Sequence, residues 1–95
     1  MAKQPETLFK ERVRDDLKTL QKIWFYKTQE VSRRGIPDFI ICLRGKFHAF
    51  ELKVDSPLEP LQQYTLNSIK KAGGNALVVT PKNWEHIFNT LKEGE

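Results

Sequence analysis

The chain has 95 residues, 16 Lys plus Arg against 12 Asp plus Glu, a formal charge of +4, and 39% apolar residues. That length bounds it to a single domain over residues 1–95 with a small core, and its one cysteine, Cys42, excludes an internal disulfide framework and a cysteine-rich metal site. No apolar run approaches the roughly 18 residues of a membrane helix, and the opening MAKQPETLFKER lacks the apolar core of a signal peptide; an intracellular, cytoplasmic, soluble protein with no membrane partner is expected.

Pro5 precedes the first periodic segment, Glu6 to about Lys22. Phe9, Val13, Leu17, Leu20 and Trp24 recur at three- and four-residue steps, which is one helical stripe. IWFYKTQ, rich in aromatic residues, predicts a strand from Ile23 to Gln29. SRRG is a polar break, and DFIICL, Asp38 to Leu43, is an apolar run of the length of a buried strand. Arg44-Gly45 is a tight-turn candidate, and KFHAFELKV follows as a third strand. SPLEP ends that strand and opens a helix from Leu58 to about Ala72, stopped by Gly73-Gly74. Asn75 to Thr80 predicts a fourth strand. Thr80 as N-cap, with Pro81 at the first helical position, starts a last helix, Lys82 to Leu91, with Trp84, Ile87, Phe88 and Leu91 inward. The order α-β-β-β-α-β-α predicts an α/β fold, a mixed sheet flanked by helices.

The chemistry concentrates in the hairpin. Side chains alternate across a strand, so Phe47, Ala49, Glu51 and Lys53 share one face, and His48, Phe50, Leu52 and Val54 the other. A two-residue loop at Arg44-Gly45 pairs Leu43 with Lys46, Ile41 with His48, and Asp38 with Glu51. Opposed residues bring their Cβ atoms to roughly 4.5–5.5 Å, where like charges repel. A hard divalent cation such as Mg²⁺ between the two carboxylates reverses that sign. A three-residue loop would instead slip the pairing by one and send Asp38 to the opposite face.

Two helical residues add to this. Gln62 falls on the apolar side of the second helix with Leu58, Leu61, Leu66, Ile69 and Ala72, where its amide needs partners. Glu6, three residues before Phe9 and seven before Val13, points the same way as they do. A first-turn acid also favours the helix dipole without further purpose.

GIPDFI followed by FELK across a short hairpin resembles the PD-(D/E)XK nuclease signature, with Pro37-Asp38 as its first half and Glu51-Leu52-Lys53 as its second. The wider pattern is similar to the VRR-NUC branch of that superfamily. It runs as an acidic opening helix, a strand, G-x-PD, a hairpin, E-x-K, a proline-flanked L-Q helix start and a G-G turn into a strand, and covers Glu6 to Trp84. The resemblance implies a restriction-endonuclease-like fold and a Mg²⁺- or Mn²⁺-dependent DNA endonuclease, with no small-molecule cofactor, that leaves a 5′-phosphate and a 3′-hydroxyl. By that resemblance Asp38, Glu51 and the Leu52 carbonyl hold the metal. Lys53 steers or deprotonates the attacking water, Gln62 orients that water or holds Lys53, and Glu6 completes the outer shell. One departure is that relatives carry a clear first-helix glutamate, whereas here Lys10 sits one turn after Glu6 on the same side and Glu11 points away. Relatives of this size resemble junction resolvases, so a homodimer is expected, acting on branched DNA, flaps or plain duplex. Lys27, Arg33, Arg34 and Arg44 flank the site in sequence as phosphate-gripping candidates.

Simpler assignments cover the rest. Glu51 and Lys53 also fit the solvated face of an edge strand. His48 lies on the face away from Glu51 and reads as structural, Cys42 as a small buried apolar residue, and Trp24, Phe25, Trp84 and Phe88 as core. The rival functions are a nucleic-acid-binding module that keeps the fold without turnover, and a protein-interaction domain in which PD and ELK are coincidental.

Overall fold

A computed structural model describes residues 2–28 and 34–94; Gln29, the expected end of the first strand, and Arg33 lie outside the described residues. Helix α1 spans Pro5–Leu17, strands β1, β2 and β3 span Ile23–Lys27, Phe39–Leu43 and Lys46–Leu52, helix α2 spans Pro60–Lys71, β4 spans Asn75–Val79 and α3 spans Trp84–Glu93. The expected order of elements is the observed one. The sheet runs β1-β2-β3-β4, with the first three strands antiparallel and β4 parallel to β3. The parallel step is made through α2, as a crossover connection requires.

The two faces of the sheet are covered unequally. On one, α1 and α3 close a core of Phe9, Val13, Leu17, Phe39, Ile41, Phe50, Leu52, Val79 and Trp84. Each fully buried Phe or Leu contributes roughly 1.5–3 kcal/mol. Trp84 is wholly buried, and its indole N–H donates to the Asp16 carboxylate at 2.7 Å, tying α3 to α1. On the other face α2 packs over β3 and β4, where Ala49 and Ala76 leave room for Leu66.

Several expectations change. Helix α1 ends at Leu17, not near Lys22, because the Thr19 hydroxyl takes the Asp16 carbonyl and Lys22 turns to a φ of 55°. Trp24, expected on the helical stripe and in the core, therefore lies in β1 and is 63% exposed. Cys42 pairs with Trp24 on one side and Phe47 on the other, and all three are exposed on the part of the sheet that α2 leaves open. Leu61, expected inward on α2, is exposed as well, and Leu58 precedes the helix, which starts at Pro60. The last helix begins at Trp84 with Asn83 as its N-cap, since Thr80 and Asn83 exchange side-chain-to-backbone hydrogen bonds that hold Pro81 and Lys82 in a turn.

The hairpin turns on two residues, Arg44 at φ 48° and Gly45 at φ 84°, the two positive values of a type I′ turn. Arginine is a poor choice there by conformation alone. Its guanidinium offsets the cost by donating to the Leu91 carbonyl at 2.5 Å and the Gln21 carbonyl at 3.2 Å. No helix among the described residues is long and apolar enough to cross a membrane.

Candidate active site

The two-residue turn sets the register. Leu43 pairs with Lys46, Ile41 with His48 and Phe39 with Phe50, which puts Asp38 and Glu51 opposite each other one step on. Glu51 is on a central strand, between β2 and β4, and is 4% exposed. A solvated edge-strand face is thereby excluded for it.

Asp38 sits just before β2 and is held from three directions. Its carboxylate accepts the Leu52 backbone N–H at 2.8 Å on one oxygen and lies 3.2 Å from the Lys10 ammonium on the other. Its own carbonyl accepts the Thr28 N–H at 2.8 Å, and the Thr28 hydroxyl donates to the preceding Pro37 carbonyl at 2.7 Å. Proline has no N–H to pair with β1, so Thr28 does the anchoring through carbonyls alone.

Glu51 is held by the second helix. Gln62 donates to its carboxylate at 3.2 Å, while the Gln62 carbonyl oxygen accepts the Glu59 N–H at 2.9 Å. One side chain thus serves the helix start and the site together. The expected alternatives are a water or Lys53; the residue it contacts is Glu51. Lys53 follows just past the end of β3, its ammonium 3.7 Å from Glu51.

These groups face one cleft of about 490 Å³ whose lining includes Glu6, Lys10, Arg34, Asp38, Glu51 and Lys53. The Glu51 carboxyl is pushed up to about 7, by burial first and by the Asp38 carboxylate second, with Lys53 and Lys10 pulling the other way. The cause is physical: two carboxylates share a poorly solvated space, and a proton on one relieves both.

The donor set fits a hard divalent cation. Asp38 and Glu51 offer oxygen ligands from adjoining strands, converging on one cleft, as Mg²⁺ and Mn²⁺ prefer. Among the described residues no group of three or more His, Cys, Asp or Glu converges. Two carboxylates therefore make the ionised set, and water and main-chain oxygens are the natural complement.

The other expected residues divide. Leu52 is in the cleft wall, where its N–H orients Asp38. Glu6 is exposed at the cleft mouth and does not point into the core with Phe9 and Val13. Arg34 also lines the cleft, and Lys27 lines an adjoining groove with Lys10 and Arg14. Arg44 does not join them. Its guanidinium is used on Leu91 and Gln21 at the turn, about 20 Å along the hairpin from Asp38. His48 is structural as expected: it is buried, its ring edge meets Phe50, and burial lowers its pKa. Thr28 was missed, since a lone threonine after a strand carries no signal. Compared with protein families, with curated proteins and with solved structures, the chain has no match.

Proposed function

We propose that this chain is a divalent-metal-dependent DNA endonuclease of the PD-(D/E)XK type, with a restriction-endonuclease-like fold similar to the VRR-NUC branch. One observation carries the reading: Asp38 and Glu51 converge in a cleft where they repel each other, and Lys53 and Gln62 contact Glu51. Folding alone gains nothing from that convergence.

A cation bound there would polarise a phosphodiester and lower the pKa of a water. The chain's own groups then have definite tasks. Asp38 and Glu51 present oxygens and need to be ionised to do so. Lys53 holds its ammonium beside Glu51, where it can orient a water and offset charge that develops on phosphate. Gln62 fixes the Glu51 rotamer. Arg34 at the cleft and Lys27 in the adjoining groove offer positive charge to the flanking phosphates. Branched DNA and a two-fold dimer are the substrate and assembly that the resemblance favours.

The ion pair between Lys10 and Asp38 favours a second reading, a nucleic-acid-binding module without turnover, because an ammonium already neutralises one carboxylate. Cleavage of supercoiled plasmid and of a synthetic four-way junction in Mg²⁺, Mn²⁺ and EDTA separates the two. Metal-dependent cutting that Asp38→Ala abolishes supports the nuclease. Salt-dependent binding by both proteins with no cutting supports the module.

A further inference from the structure

We infer that Lys10 is an internal stand-in for the divalent cation, a positioning residue that must leave Asp38 before metal binds and that therefore sets the metal affinity of the site. The inference rests on the nuclease reading above and goes beyond it, since that reading gives Lys10 no part.

The geometry makes the case. Lys10 is on α1, one residue after the buried Phe9, so its stem starts from a fixed point on the core-facing helix. Its ammonium lies 3.2 Å from one Asp38 oxygen, and both side chains are 18% exposed. The other Asp38 oxygen is occupied by the Leu52 N–H at 2.8 Å. The oxygen that Lys10 covers is thus the one with no backbone donor on it, and is the natural face for a cation. Glu51, Lys53 and Lys10 line the same cleft.

Charge gives the same answer. Lys10, Lys53, Asp38 and Glu51, when ionised, sum to zero. A divalent ion entering this set meets two ammoniums at short range in a partly desolvated cleft, where like charges are poorly screened. Removing the Lys10 charge abolishes one repulsion and uncovers one ligand oxygen, and both effects favour the metal. The effect follows charge, not side-chain bulk, which distinguishes it from a packing role.

The test is Mn²⁺ binding to the DNA-free 95-residue protein by titration calorimetry at pH 8. Lys10→Met should bind Mn²⁺ about tenfold more tightly than wild type, equivalent to ~1.4 kcal/mol. Lys10→Arg, which keeps the charge, should stay near the wild-type affinity, and Asp38→Asn should abolish saturable binding. If Lys10→Met does not fold, Lys10→Gln is read in the same way. Affinity in the neutral variants equal to or below wild type, with Asp38→Asn still abolishing binding, overturns the role of Lys10 and leaves the metal site standing. Absence of saturable binding in wild type and neutral variants alike, or binding indifferent to Asp38→Asn, overturns the metal site and the role of Lys10 with it.

Discussion

The Leu52 backbone N–H donates to the Asp38 carboxylate at 2.8 Å, so the peptide inside the E-x-K motif orients the acid of the PD motif. The two halves of the signature are joined by a hydrogen bond as well as by register. That bond fixes which Asp38 oxygen is left for other partners. Replacing Asp38 by Asn keeps the acceptor but removes the charge. Asp38→Asn should therefore fold like wild type, melt within a few degrees of it, and lose all metal-dependent cutting. Thermal melting beside a cleavage assay checks both halves.

The pH dependence of stability should follow Glu51. Its carboxyl is raised from 4.5 to about 7 in the folded chain. The folded state therefore holds that proton more tightly than the unfolded chain does. The stability it contributes is full below about pH 4.5 and is lost as pH climbs through about 7. Glu51→Gln should flatten this slope and stabilise the metal-free protein above pH 7 by on the order of 2 kcal/mol. Denaturant melts from pH 5 to pH 8, in EDTA, measure it. A steeper slope in the variant would contradict the assignment.

Gln62 serves two masters, and its removal should show both. Gln62→Ala leaves the Glu59 N–H without its acceptor at the start of α2 and removes one partner of the Glu51 carboxylate. A loss of about 1 kcal/mol is expected from the helix start. Cutting should fall more than that loss of folded protein explains. Rates taken well below the melting transition separate the two.

Thr28 should behave as an anchor for Asp38. Thr28→Val keeps the shape but removes the hydroxyl that donates to the Pro37 carbonyl at 2.7 Å. A cost of about 1 kcal/mol is expected, together with weaker Mn²⁺ binding. Thr28→Ser should restore both. Calorimetry on the two variants tests the ordering.

Arg44 and Arg34 should part company. Arg44→Asn keeps a residue that tolerates positive φ but frees the Leu91 and Gln21 carbonyls. It should lower stability by about 1 kcal/mol and leave DNA affinity nearly unchanged. Arg34→Ala, at the cleft, should weaken DNA binding and reduce its salt dependence while leaving the melt alone. Binding isotherms at two salt concentrations decide it.

Much of this is legible in the sequence. The hairpin register followed from strand alternation and a two-residue turn, and Asp38 and Glu51 came out opposed as expected. Gln62 was legible because an amide on an apolar stripe needs partners. What failed has a common cause: local pattern does not report what lies overhead. Trp24 continued the helical spacing only because the chain turned between Leu17 and Ile23 without breaking the count. Cys42 sat in an apolar run that reads as buried, yet α2 covers the β3 and β4 half of the sheet. Lys10 was visible as a lysine on the side of Glu6, but its pairing with Asp38 depends on how α1 crosses the sheet. Arg44 is near the site in sequence, and the hairpin turns that proximity into distance.

The unequal cover of the sheet has a practical use. Cys42 is the chain's single cysteine, exposed between Trp24 and Phe47 and on a strand that also leads to Asp38. A maleimide dye placed there needs no background mutation. Labelling rate would then report whether this open face is covered when DNA or a second copy of the chain is added.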